Sequence, residues 1–306
     1  VRREVIKVNA GLGPLAVAAT FVTAEWLVPT LFEMPFGAPL WTVSSWSSVA
    51  ALTGSQGLSF MVVLLSALLA ELWFLRGQWS LSVVSRHLGL GGALLGSLLV
   101  FGTLWSQHLH TTEPSSTLRV GLIQPNWTLE EKKKMTAVRR LDCLQRFERM
   151  LSDIPKGRYD LLVASEGAFT MLWDIEGARG PEDPVERRTE PTQVIQRAVA
   201  TGPATHLIIG GLRRPRSGKT RNSAVHIGPG GRLLGHYDKQ ILMPFGEYLP
   251  GSSIFPGLRN AIKGISDFDA GDRPCQFQVG DNVIACGICY ETLLAGQTRS
   301  DIADAR

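Results

Sequence analysis

The chain has 306 residues, 44% of them hydrophobic, and a net charge of only +4. That balance makes no case for a nucleic-acid partner, and four cysteines (Cys143, Cys275, Cys286, Cys289) are too few to staple a fold of this size. Residues 1–110 hold five of the 31 Lys and Arg and four of the 27 Asp and Glu, so the first third is nearly uncharged.

Three apolar segments come first in chain order, at about 12–31, 57–75 and 88–109. Each approaches the roughly 20 apolar residues that cross a bilayer, which predicts about three transmembrane helices over 1–110. Arg2, Arg3 and Lys7 precede the first segment, and Arg76 and Arg86 lie between the second and third. The stretch 34–55 has no Lys or Arg but carries Trp41 and Trp46. By the positive-inside rule, the N-terminus is cytoplasmic and residues 111–306 emerge on the far side. Glu25 falls within the first segment, where a carboxylate is costly. Either a structural hydrogen bond or a path for lipid explains it.

The polar stretch 111–117 marks a boundary, and residues 111–306 read as a second, globular domain. Residues 118–124 form a buried strand pattern. Thr128 and Glu131 fit a capping box, and Lys132-Lys133-Lys134 reads as a solvated helix face. Met135, Val138, Leu141, Leu144, Phe147 and Leu151 then recur at helical spacing over about six turns. Strands are expected at 159–164 and 205–210, with a helix around 192–200 between them. Gly228-Pro229-Gly230-Gly231 marks a hairpin joining 222–227 to 232–237, and Gly280-Asp281-Asn282 a second joining 276–279 to 283–288. The alternation is that of an α/β domain. The polar tail 295–306 does not continue the pattern.

Glu166, Lys239 and Cys289 each follow one of these strands, where α/β scaffolds present reactive groups. A carboxylate takes a thiol proton, and an ammonium stabilises an oxyanion. Singly, a Glu or Lys at a strand end is more often a surface ion-pair partner, and a lone Cys is usually a small core residue. Their settings are SEGAF at Glu166, YDKQILMPFGEYLP at Lys239 and GICYE at Cys289. In that order they resemble the three motifs of the nitrilase superfamily. MPFGEYLP, GLIQPN, RNSAVHI and the preceding apolar segments narrow the likeness to the apolipoprotein N-acyltransferases, from about residue 10 to 293.

The resemblance implies a nitrilase-like α-β-β-α sandwich behind the membrane helices. It implies Cys289 as nucleophile, Glu166 as general base and Lys239 as oxyanion stabiliser, with Glu247 and Glu291 supporting the site and Tyr290 shaping an acyl pocket. The reaction implied moves an sn-1 acyl chain from a membrane phospholipid, through a Cys thioester, to the α-amino group of a diacylglyceryl-cysteine apolipoprotein. It needs no metal or organic cofactor, and it places a multi-pass protein in the bacterial inner membrane with its catalytic domain in the periplasm. Two departures stand out. Ser165-Glu166-Gly167 replaces the family's frequent Pro-Glu-Ser, and the chain begins at Val1 and ends seventeen residues after Cys289, as a C-terminally truncated domain would.

Other readings are a membrane-tethered amidase or nitrilase acting on a small substrate, and an inactive membrane fragment. Cys286-Gly287-Ile288-Cys289 is formally a CxxC motif. On an extended strand, at about 3.3 Å per residue, Cys286 and Cys289 stand roughly 10 Å apart. A disulfide needs Cα atoms within about 7 Å, and no second Cys pair or His cluster completes a zinc site.

Overall fold

The computed structural model describes residues 12–28, 30, 34–77, 80–114, 116–128, 130, 131, 135–175, 190–216, 218–252, 254, 255, 257–262 and 264–304. They form two compact units, Val1–Ser115 and Ser116–Arg306.

In the first unit, helices α1 (Gly13–Leu27), α2 (Ser44–Ser47), α3 (Ala50–Phe74) and α4 (Leu81–Thr111) pack around Ala18, Val49, Leu58, Met61, Leu64, Leu68 and Leu95. Leu- and Val-rich sequence, charged only at Glu71 in α3 and Arg86 in α4, makes these helices, of 25 and 31 residues, long and apolar enough to cross a bilayer. The expected first span is shorter: α1 has 15 residues and ends at Leu27. Gly54, at φ +69°, interrupts the first turn of α3, and Ser80 caps α4 by accepting from the Val83 amide at 3.3 Å. Glu25 has a structural partner, accepting from the Phe36 amide at 2.7 Å. Trp26, Leu69, Trp73 and Leu104 point outward.

The second unit is built on a five-stranded sheet of order β1-β2-β3-β4-β5: β1 (Val120–Ile123), β2 (Leu161–Trp173), β3 (His206–Arg213), β4 (Arg221–Ile227) and β5 (Leu233–Asp238). The first three are parallel and the last two antiparallel. Helix α5 (Ala137–Ser152) crosses from β1 to β2, and α6 (Pro191–Thr201) precedes β3. Helix α7 (Leu258–Ala261), the hairpin β6 (Phe277–Val279) and β7 (Asn282–Ile284), a 3-10 turn (Cys289–Leu293) and helix α8 (Ala295–Asp304) complete the unit.

Strand alternation sends side chains to two cores. Leu162, Ala164, Leu207, Ile209, Val225 and Ile227 meet Leu144, Phe147 and Leu151 of α5 and Ile195, Ala198 and Val199 of α6. On the other face Leu161, Ile208, Ala224 and Tyr237 meet Cys275, Phe277, Val279 and Ile288.

Four sequence expectations need correction. The capping box forms, with Glu131 accepting from the Thr128 amide at 2.7 Å and Thr128 from the Glu131 amide at 3.2 Å. The long helix starts later, at Ala137, because Thr136 caps it by accepting from the Arg139 amide; Lys132, Lys133 and Lys134 lie outside the described residues. Strand β2 runs to Trp173 rather than ending at 164, so Glu166 lies within it. The second hairpin is short, and Cys286 falls outside its strands. The polar tail forms α8, where Gln297 donates to the Gln240 side chain at 2.6 Å.

Candidate active site

Glu166 occupies a break in sheet register. β2 pairs with β3 through Ala164↔Ile209 and resumes at Phe169↔Gly211, so five residues of β2 advance against two of β3. The surplus bulges outward, with Gly167 at φ +65°, and leaves Ser165 and Glu166 exposed. β3 accommodates the bulge with glycine. A Cβ at Gly210 would lie 2.7 Å from the Glu166 Cα and 2.9 Å from the Ser165 carbonyl oxygen.

Lys239 follows β5 directly and is 1% exposed. Its backbone is fixed on both sides, since its amide donates to the Asn222 carbonyl at 2.8 Å and its carbonyl accepts from Gly271 at 2.8 Å. A buried ammonium needs a counter-charge, and Glu247 supplies it with Oε2 2.8 Å from the Lys239 Nζ. The segment 243–248 folds back to present that carboxylate. Glu247 Oε2 accepts from the Met243 amide at 2.8 Å, the Glu247 amide donates to the Met243 carbonyl, and Phe245 takes φ +61°.

Asn222 ties the two carboxylates together. Its side-chain Nδ2 donates to Glu166 Oε1 at 2.6 Å and to Glu247 Oε1 at 2.8 Å. An amide nitrogen carries two hydrogens, so both are committed, and Glu166, Glu247 and Lys239 form one connected row. The sequence offered Asn222 only as part of a strand; no residue-type signal distinguished it.

Cys289 opens the 3-10 turn in a left-handed backbone conformation, φ +54°, with its side chain exposed. The Glu166 carboxylate hydrogen-bonds its thiol, and the Tyr290 backbone amide also reaches the sulfur. Burial of the sulfur and the Glu166 charge hold the thiol above its ordinary pKa, and the Lys239 charge only partly offsets them. The thiol therefore keeps its proton at neutral pH until a base takes it. Tyr290 itself is half-buried.

Glu291 stands apart from this row and serves it from behind. It is 1% exposed and accepts four hydrogen bonds. Oε1 takes the Tyr237 hydroxyl at 2.9 Å and the Gln240 and Ile241 amides at 2.7 and 2.9 Å; Oε2 takes the Ile288 amide at 2.9 Å. One carboxylate thus pins the chain just after Lys239 to the chain just before Cys289. Burial, and then the Glu291 charge, push the Tyr237 phenol up. Next to Lys239, buried Asp238 accepts from Arg213, from Ser223 at 2.7 Å and from Arg221 at 3.0 Å.

The structure therefore brings Glu166, Lys239, Glu247 and Cys289 together, with Glu291 hydrogen-bonded between the segments that follow Lys239 and precede Cys289. Against Glu166, Asn222 and Glu247 opens a cavity of about 660 Å³, walled by Phe169, Met171, Leu172, Leu212 and Phe268 and bordered by Arg140 and Arg214; Lys239, Cys289 and Tyr290 are not in its lining. Among the described residues no group of His, Cys, Asp and Glu is placed to hold a metal ion.

The carbon-nitrogen hydrolase family model matches residues 119–304. An apolipoprotein N-acyltransferase of Geobacter metallireducens is 26% identical over 257 residues, covering 82% of this chain and 46% of the relative. Proteins of the same name from Gloeobacter violaceus and a Nostoc species are 23% and 26% identical, over 86% and 92% of this chain and 46% and 54% of theirs. The chain thus spans about half the length of the curated relatives it matches. An amidase of a Nesterenkonia species, solved with an acetamide moiety on its active-site cysteine, is 14% identical over 63% of this chain and 64% of its own, with a TM-score of 0.41. That likeness indicates neither substrate nor mechanism.

Proposed function

Because the chain belongs to the carbon-nitrogen hydrolase family, we propose that it is the membrane and catalytic part of an apolipoprotein N-acyltransferase working through Cys289, Glu166 and Lys239. One observation carries the reading: the Glu166 carboxylate meets the Cys289 thiol, while Lys239 stands beside them with its charge balanced by Glu247. The relatives' names and the apolar helices α3 and α4 point to lipid substrates.

Glu166 takes the thiol proton, and the sulfur attacks the sn-1 ester carbonyl of a phospholipid. The Lys239 ammonium stabilises the oxyanion. Glu166 returns the proton to the departing glyceryl oxygen, leaving a Cys289 thioester and a lysophospholipid. The α-amino group of a diacylglyceryl-cysteine apolipoprotein then attacks the thioester carbonyl; Glu166 takes the amine proton and passes it to the Cys289 sulfur as the C–S bond breaks, leaving the N-acyl amide and the free thiol. Glu247 keeps Lys239 aimed, Glu291 holds the two active segments together, and Tyr290 borders the acyl chain.

In this reading residues 1–110 are about three transmembrane helices. Residues 111–306 are a partial α-β-β-α sandwich in which β6 and β7 begin the second sheet. The protein sits in the bacterial inner membrane as a multi-pass chain, with its catalytic domain in the periplasm.

The test incubates the detergent-solubilised chain with a phospholipid of known acyl composition and maps adducts by peptide mass spectrometry. A hydroxylamine-sensitive acyl group on the Cys289 peptide, lost in Cys289→Ser and Glu166→Gln, is the expected result. A folded protein with no adduct would overturn the reading for this chain. Turnover of a small amide in its place would make the protein a membrane-tethered amidase.

A further inference from the structure

The sulfurs of Cys275 and Cys286 lie 3.0 Å apart. Neither has a part in the chemistry above. The hairpin register accords with that meeting: Phe277↔Ile284, Gln278↔Val283 and Val279↔Asn282 are paired, and the same register carried two residues past the end of the ladder sets Cys275 opposite Cys286. Residues directly opposite in an antiparallel pair have Cα atoms about 4.5–5.5 Å apart, within the roughly 4.4–6.8 Å that a disulfide spans. Period-two alternation puts both cysteines on the face of Phe277 and Ile284, turned into the second core. Cys275 is buried and Cys286 half-buried, whereas Cys289 is exposed and turned toward Glu166.

We propose that Cys275 and Cys286 are a disulfide site, and that oxidation there closes the β6–β7 hairpin and anchors the segment leading to Cys289. The inference does not depend on the acyl-transfer reading. The oxidant is a disulfide-bearing molecule of the glutathione disulfide class. The Cys286 thiolate attacks one of its sulfurs, expelling a thiol and forming a mixed disulfide. The Cys275 sulfur then attacks the Cys286 sulfur and expels the second thiol. Two cysteine S–H bonds and one external S–S bond become one internal S–S bond and two external S–H bonds, and two electrons pass to the oxidant. The hydrogen bond to Cys275 and burial push the Cys286 thiol up. Exchange therefore proceeds as the hairpin opens, and the bond once made is sheltered from reductant.

The experiment exposes the full detergent-solubilised chain to glutathione disulfide, unfolds it in acid, alkylates the remaining thiols and cleaves before Asp281. That cut separates Cys275 from Cys286 and Cys289. The two fragments are expected to stay joined until reductant is added, with Cys289 fully alkylated. The link should persist in Cys289→Ala and vanish in Cys286→Ser. The oxidised protein should melt roughly 5–10 °C above the reduced one. Fragments that separate with both Cys275 and Cys286 alkylated would overturn the proposal, as would a link made through Cys289. The fragment readout uses the unaltered chain, so it stands even if the serine variant fails to fold.

Discussion

Glu291→Gln tests how the active segments are held. The substitution keeps shape and removes charge. The Gln carbonyl can still face Tyr237, Gln240 and Ile241, but its NH₂ then confronts the Ile288 amide, two donors with no acceptor. An unsatisfied buried donor costs about 1–3 kcal/mol, and each of the three surviving bonds loses about 1 kcal/mol on becoming neutral. The local cost is therefore about 4–6 kcal/mol. Hydrogen exchange followed by mass spectrometry reads it directly. Peptides carrying the Gln240, Ile241 and Ile288 amides should exchange at least about a thousandfold faster, as 4 kcal/mol requires, while those from α5 and β3 keep their protection. The Tyr237 phenol should titrate at lower pH once the neighbouring charge is gone. Exchange at these amides within tenfold of the unaltered protein would refute the idea that this carboxylate joins the two segments.

Three further outcomes follow from the geometry. Gly210→Ala should cut Cys289 acylation on the order of a hundredfold, measured by adduct formation, because its Cβ displaces the Glu166 backbone; full activity would show that the bulge yields freely. The Cys289 thiol should react with iodoacetamide with a midpoint above about pH 8.5, moving lower in Glu166→Gln as the raising charge is removed; no downward move would remove Glu166 from contact with the sulfur. Burial raises the Asp238 carboxyl, but hydrogen bonds from Arg213, Ser223 and Arg221 outweigh it and hold the folded value at about 2 against an ordinary 3.8. A folded value below the unfolded one stabilises fully above about pH 4 and fades as pH falls toward 2, by about 2 kcal/mol in all. Thermal midpoints taken down that range should drop less in Asp238→Asn than in the unaltered chain.

What the sequence made legible had a local cause. Helix α5 announced itself by apolar spacing, and the β4–β5 hairpin by Gly228-Pro229-Gly230-Gly231 between β-rich runs. Strand β2 was cut short because Ser165-Glu166-Gly167 has the chemistry of a turn; only the neighbouring glycine of β3 lets the strand continue past it. Helix α8 was missed because its apolar pattern is weak, and contacts such as Gln297 with Gln240 support it. The candidate trio was read from three ordered motifs, since no periodicity brings residues 166, 239 and 289 together. Asn222 escaped because a bridging amide looks like any strand-edge asparagine. Cys275 escaped because its partner is fixed by register, which is known only once the strands pair.

The left-handed backbone at Cys289 sets stability and chemistry against each other at one position. A side chain there costs about 1–2 kcal/mol that glycine would not incur. Cys289→Gly should therefore give a chain that folds at least as well and cannot form a thioester. If the glycine variant folds better and loses the adduct, this one position carries a backbone cost that a sulfur nucleophile requires and a purely structural residue would not.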